Sequence, residues 1–193
     1  VYKRQTSYSP LFAQKCGVNH EMQLQWLSRY LNHISESQQP LPPLKLESQK
    51  VPIALHLVAR DNGVGRATIE RALNILCELN ELYAASEISF YLTENGLNFI
   101  NNDGVFSNNH LAINQLVMEG ERRDSALNVF VVNSVGANNV VGLYDKSKDW
   151  VLIQRSVFLE GDKTLAHEIG HFFSLLHPHF GWDASPWNPS NSN

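Results

Sequence analysis

The chain has 193 residues, of which 43% are hydrophobic and 10% aromatic. That is enough apolar material for one core of ordinary size, and it excludes a disordered chain. The 15 Lys and Arg residues and 19 Asp and Glu residues leave a net charge of −4 without a long basic run, so we expect no nucleic-acid partner. No apolar run approaches the ~20 residues that a membrane-spanning helix needs, and two cysteines cannot form a disulfide-rich scaffold.

The two ends of the chain differ in character from its middle. Residues 1–5 match the translated end of a common sequencing adaptor, and we expect them to be a sequencing scar. Residues 186–193 end in turn-forming Pro, Asn and Ser residues. We therefore expect a fragment of a longer protein, with the signal peptide and a C-terminal part outside it.

A separate segment is predicted over residues 6–44. Apolar residues recur at helical spacing over residues 20–35, which predicts an amphipathic helix. They are Met22, Trp26, Leu27, Tyr30, Leu31 and Ile34. The Pro-rich residues 39–44 cannot continue a helix and predict an extended linker, so the main domain is expected over residues 45–193.

Strands and helices alternate in the main domain. The strands are predicted at residues 51–59, 88–92, 126–133, 139–144 and 150–154. A long helix is predicted at 65–85, and residues 93–125 are expected to be mostly loop, with a helical turn or two near 111–118. This order and the nearly continuous apolar strands favour a mixed α/β layer whose sheet is covered by helices.

Several side chains of these elements are assigned to the core. Ile69, Leu73, Leu76 and Tyr83 are expected on one face of the long helix, with Cys77 buried among apolar neighbours. His56, in the first strand, is interpreted as a hydrogen-bonded core histidine rather than a metal ligand.

Residues 164–177 carry the clearest chemistry. His167 and His171 are one helical turn apart on one face, so both imidazoles can reach one ion, and Glu168 is placed to act on a metal-bound water. His177 lies six residues further, about 240° around a straight helix, so the helix must end before it. The spacing predicts a Zn²⁺ site of three histidines with a fourth position for water. Histidines buried in an ordinary helix are the alternative.

These residues, together with the strand at 51–58, the pair Leu79-Asn80 and the strand at 127–131, resemble the metzincin metallopeptidases and, within them, the pappalysin-like group. The resemblance covers about residues 45–180. It implies an α/β (α+β) zincin domain: a twisted, mixed five-stranded sheet with a backing helix and an active-site helix, preceded by a helical pro-segment.

The resemblance also implies roles for particular residues. His167, His171 and His177 would be zinc ligands and Glu168 the catalytic general base, which later returns the proton to the leaving amine. An edge strand would pair with an extended peptide substrate by strand addition. That strand is expected at Val140, Val141, Gly142, Leu143 and Tyr144.

Two departures from the family pattern bear on the third ligand. Ser174 stands where the family has Gly, and a left-handed Ser costs about 1 kcal/mol, which keeps His179 and Asp183 open as substitutes for His177. The second departure is the missing Met-turn, the turn with a methionine that the family has after the third histidine. Both methionines of this chain precede the motif.

Cys16 is the remaining candidate. The short segment Cys16-Gly17 is similar to the one by which pro-regions of several metzincins block the zinc, and a thiolate is a better zinc ligand than water. A disulfide with Cys77 and an ordinary free thiol are the alternatives.

We therefore expect a secreted zinc-dependent metalloendopeptidase that hydrolyses peptide bonds through a zinc-bound water activated by Glu168, captured as a fragment with little or no activity of its own. The alternatives are an inactive protease-like binding or adhesion module, and a zincin of another clan with Asp183 as an acidic third ligand. The expected partner is a protein or peptide substrate, with no membrane span in this fragment. The oligomeric state is not predicted.

Overall fold

The computed structural model describes residues 48–136 and 140–177, together with residue 28. The linker, Cys16, His179, Asp183 and, apart from residue 28, the predicted amphipathic helix lie outside the described residues. Within these ranges the chain forms five strands and four α-helices. In chain order they are β1 (Gln49–Ala59), α1 (Ile69–Tyr83), β2 (Ile88–Asn101), α2 (Asp103–Asn108), α3 (Ala112–Glu121), β3 (Leu127–Val132), β4 (Gly142–Asp145), β5 (Trp150–Gln154) and α4 (Thr164–Phe172).

The five strands form one mixed sheet in the order β2-β1-β3-β5-β4. Strands β2, β1, β3 and β5 are parallel to one another, whereas β4 lies antiparallel to β5 at one edge. Every residue of β3 is buried, as expected for a parallel strand covered on both faces. The predicted five-stranded α/β fold is therefore confirmed.

The two faces of the sheet bury different sets of helices, because successive residues of a strand point to opposite sides. Ile53, Leu55 and Leu57 of β1 lie in the cluster that contains residues of α1 and α4. Val58 lies in a second cluster, with residues of α2 and α3. No helix among the described residues is long and apolar enough to cross a membrane.

The prediction that residues 93–125 are mostly loop was wrong. Strand β2 and helix α2 occupy much of this range, and only α3 matches the helical turns expected near 111–118. Strand β2 continues to Asn101, and its pairing with β1 shifts register where Ile53 and Leu55 face Leu92 and Leu97. The extra residues include Asn95, with φ 58°, and Gly96, where a Cβ would lie 2.9 Å from the carbonyl oxygen of Ile53. The turn-forming residues that suggested a loop therefore form a bulge in a continuous strand.

The buried face of α1 also differs from the prediction. The helix buries Ala72, Ile75 and Leu79, whereas Leu76 and Tyr83 are only partly buried. Ile69, Leu73 and Cys77 are exposed. The helix has two apolar stripes, and the one that contains the small residue Ala72 is packed against the sheet, so Cys77 is not a core residue.

His56 is a buried core histidine, as predicted. The Asn98 amide donates to its Nδ1 over 3.1 Å, so the ring donates from Nε2 to Asn128 Oδ1 over 2.9 Å. The ring stacks on Phe130 with centroids 4.2 Å apart. Burial lowers the pKa of His56 to about 4, so the ring is neutral at physiological pH. It shares the face of Val58 on β1, the face away from α4.

Candidate metal centre

Helix α4 presents two different sides. Its first backbone N–H, at Thr164, donates to Asp162 Oδ1 over 2.8 Å. Leu165 and Ile169 are buried against the sheet, together with Glu168 and His171, while His167 is exposed. One helix therefore supplies a buried carboxylate and two histidines that lie one turn apart.

The helix ends in a Schellman motif, in which the last carbonyls accept from residues beyond the helix. The Ser174 N–H donates to the His171 carbonyl over 2.9 Å, and the Leu175 N–H donates to the Gly170 carbonyl over 3.0 Å. Ser174 has φ 66°, the left-handed conformation that the sequence led us to expect. This reversal of the chain brings His177 back toward α4.

The three histidines of the motif converge on one point. The Nε2 atoms of His167 and His171 are 3.1 Å apart, and each lies 3.2 Å from Nε2 of His177. A tetrahedral zinc with bonds of ~2.0–2.1 Å holds its ligand atoms about 3.3–3.4 Å apart. Three imidazole nitrogens at this spacing therefore fit one zinc ion, which His167, His171 and His177 would hold.

A second interaction orients His171. Its Nδ1 lies 2.8 Å from the Leu175 carbonyl oxygen, and a carbonyl only accepts, so Nδ1 carries the proton and Nε2 presents its lone pair to the centre. Burial lowers the pKa of His171 to about 4, which keeps the ring neutral. The sequence analysis did not identify this role of the Leu175 carbonyl. The only available signal was the expected turn at Ser174.

The carboxyl group of Glu168 is held beneath the edge strand. The side chain is completely buried, and its Oε2 accepts the backbone N–H of Tyr144 over 3.0 Å. The ring of Tyr144 also packs edge-on against Phe172, with centroids 5.9 Å apart. Strand β4 and helix α4 are thus connected at the residue that the sequence marks as the general base. The sequence did not reveal the backbone donor at Tyr144.

Contacts with α1 fix the position of α4. The Tyr83 hydroxyl donates to the Ala166 carbonyl over 2.8 Å. The Glu78 carboxylate accepts the Gly161 N–H over 2.9 Å and pairs with Lys163, just before the helix begins. The backing helix therefore holds both the start and the middle of the helix that carries the histidines.

The predicted substrate strand lies at the open edge of the sheet. Strand β4 begins at Gly142, two residues later than expected, and Val140 forms an isolated antiparallel bridge with Val135. The Gln154 N–H donates to the Val141 carbonyl over 2.8 Å. Residues whose backbone groups bond the partner strand alternate along an antiparallel ladder. The N–H and carbonyl of Leu143 therefore also face β5, whereas those of Gly142 and Tyr144 point away from β5.

We expect Ser174→Gly to raise the free energy of unfolding by up to about 1 kcal/mol, because Gly adopts φ 66° without the steric cost that Ser bears. Part of this gain is offset by the greater entropy of Gly in the unfolded chain. Chemical denaturation measures the difference.

The matched control is Ser156→Gly, at an exposed turn residue outside the set of non-glycine residues with positive φ. There the same substitution should lower stability by roughly 0.5–1 kcal/mol. If Ser174→Gly destabilised the chain by more than about 1 kcal/mol, the left-handed assignment of this residue would be refuted.

The fold of the chain is similar to that of a solved structure, although its sequence matches no family model. No protein-family model matches the sequence, and no curated protein matches it. The fold is similar to that of a Glu-to-Ala mutant of promirolysin from Tannerella forsythia, with a TM-score of 0.57 and 17% sequence identity. The similarity covers 84% of this chain and 69% of that chain. With its five-stranded sheet, backing helix and histidine-bearing helix, the chain shares the fold of that protein.

Proposed function

We propose that the protein is a secreted, zinc-dependent metalloendopeptidase of the pappalysin-like kind. The observation that carries this proposal is the triangle of Nε2 atoms of His167, His171 and His177, no more than 3.2 Å apart. Helix α4 supplies the first two histidines and the buried Glu168, and the turn after it supplies His177. Three neutral histidines are the donor set of a zinc site that keeps a further position open for reaction.

The chemistry divides between the ion and the chain. A bound zinc would act as a Lewis acid that polarises the scissile carbonyl and makes water more acidic. Glu168 would accept the proton of the attacking water on its carboxylate and then deliver it to the leaving amine nitrogen. The Tyr144 N–H bond to Oε2 holds the carboxylate in one orientation, which lowers the entropy that this transfer would otherwise cost.

Strand β4 supports a peptide as the substrate class. It is the edge strand of the sheet next to α4. The Gly142 N–H and the carbonyls of Gly142 and Tyr144 face away from β5, whereas the Tyr144 N–H is donated to Glu168. An extended peptide can add to such an edge by main-chain hydrogen bonds, and this makes the site suitable for unfolded or flexible polypeptide segments.

We further propose that residues 6–44 form an inhibitory pro-segment and that the Cys16 thiolate blocks the zinc before processing. The support is chemical, since a thiolate binds zinc more strongly than water does, and Cys16 precedes the predicted linker at residues 39–44.

The test of the proposed function is cleavage of an unfolded protein and a mixture of flexible peptides by the otherwise full-length protein freed of residues 6–44, read by mass spectrometry. We expect chelation to abolish cleavage and one equivalent of Zn²⁺ to restore it, whereas Mg²⁺ should not, because it prefers oxygen ligands. Cys16→Ala should be active before any processing.

Two other results would contradict the proposal. Cleavage that persists in chelator would mean that the histidines do not serve a metal. Stoichiometric zinc binding without cleavage, in protein freed of residues 6–44, would instead support the alternative of a protease-like binding or adhesion module.

A further inference from the structure

The space under β4 that holds the Glu168 carboxylate exists because Gly142 has no side chain. A Cβ at Gly142 would lie 2.8 Å from Glu168 Oε1 and 2.9 Å from Glu168 Cγ. It would also lie 2.7 Å from Cγ2 of Thr164, on the first turn of α4. All three distances are shorter than real Cβ contacts, so a methyl group there must displace something.

The displaced group would be the carboxylate itself. Thr164 can turn its methyl group aside, because Thr takes two χ1 rotamers in a helix. The Cβ would still meet two atoms of Glu168, a side chain that is completely buried. Because Gly142 is not among the glycines with positive φ, alanine is compatible with its backbone conformation. A side chain at this position would therefore act by steric contact with Glu168 rather than by straining the backbone.

The position of Gly142 in the ladder separates this effect from substrate pairing. A Cβ at Gly142 points toward α4, roughly perpendicular to the sheet, whereas its N–H and carbonyl lie in the plane of the sheet and face away from β5. A methyl group on the α4 side leaves those backbone groups in place. Gly142 can therefore affect the orientation of the carboxylate without changing its own N–H and carbonyl, which are the groups of this residue that a peptide would use.

We propose that Gly142 is a positioning residue for Glu168: the missing side chain lets the carboxylate lie under β4 and accept the Tyr144 N–H. This inference rests on the proposed peptidase function and deepens it, because β4 then has two roles. Its backbone edge serves the substrate, and its α4-facing side sets the general base.

The first test compares Gly142→Ala with wild type in the zinc-loaded, otherwise full-length protein freed of residues 6–44. We expect kcat to fall about 100-fold, as for a displacement of roughly 1 Å in a catalytic group. KM should stay within about threefold of the wild-type value, and the zinc stoichiometry should not change. The matched control is Gly120→Ala on α3, where a Cβ meets nothing within 4 Å, and its activity should equal that of wild type. A kcat within about threefold of wild type, or a loss carried by KM, would overturn the proposal.

A second test does not depend on activity. The melting temperature of Gly142→Ala is measured in the wild-type background and in the Glu168→Ala background. We expect a smaller loss in the second background, because the carboxylate that the methyl group meets is gone. Equal losses would overturn the proposal. If the wild type does not cleave peptides, the proposed function fails, and this thermal comparison still decides whether Gly142 acts on Glu168.

Discussion

Glu168→Gln should reduce kcat/KM for peptide cleavage by about 10³-fold or more, while the protein stays folded and binds zinc as wild type does. The amide has the shape of the carboxylate, and its oxygen can still accept the Tyr144 N–H that Oε2 accepts over 3.0 Å. What it loses is the ability to accept a proton, and general acid–base catalysis contributes ~10²–10⁴-fold.

The matched control is Glu160→Gln, at an exposed residue whose carboxylate accepts from Asn74 at the surface. This variant should cleave at the wild-type rate. The measurement is steady-state kinetics on a fluorogenic peptide, with zinc content determined on the same samples. Residual activity within tenfold of wild type in Glu168→Gln would sink the role assigned to this carboxylate.

His177→Ala should weaken zinc binding by more than about 100-fold and abolish cleavage at limiting zinc. Loss of a partner that only orients a ligand already costs about 10–100-fold in affinity, and here one of three ligands is removed. Fold and melting temperature without metal should change little, because His177 lies beyond α4 and is not among the buried residues.

A matched control for this substitution is His110→Ala, an exposed histidine between α2 and α3. It should retain full zinc affinity in a competition titration with a chromophoric chelator. Unchanged affinity in His177→Ala would mean that the third ligand is another residue, and His179→Ala and Asp183→Ala would then identify it.

The sequence predicted the elements whose patterns are unambiguous. The strands at 51–59, 126–133 and 150–154 agree with β1, β3 and β5 to within two residues, because buried parallel strands are nearly continuous apolar runs. The histidine spacing likewise predicted a helix that ends before residue 177, since only such a helix can bring the third imidazole back. The position of the turn, Ser174, came from the resemblance, because the family has Gly there.

Other features depend on tertiary context that no local pattern contains. Residues 93–101 carry turn-forming Asn95 and Gly96, yet they pair with β1 because the bulge restores the register afterwards. Helix α1 has two apolar stripes, and only packing against the sheet decides that Ala72 is buried while Leu73 is exposed.

The same limit applies to the centre itself. The sequence marks Glu168 and the histidines but gives no sign of the backbone groups that orient them. The Tyr144 N–H and the Leu175 carbonyl act through main-chain atoms, which any residue type supplies. Their roles become visible only when β4 and the turn after α4 are placed beside the side chains.

The most direct test of the central claim, a zinc site made of these three histidines, is X-ray absorption at the zinc edge on the full-length protein loaded with one equivalent of Zn²⁺. The fit should require three imidazole nitrogens at ~2.0–2.1 Å, with a sulfur at about 2.3 Å as the fourth ligand before processing and an oxygen after it. In His177→Ala the count should fall to two imidazoles. A spectrum of the wild type with fewer than three imidazoles, or one unchanged by His177→Ala, would contradict the account.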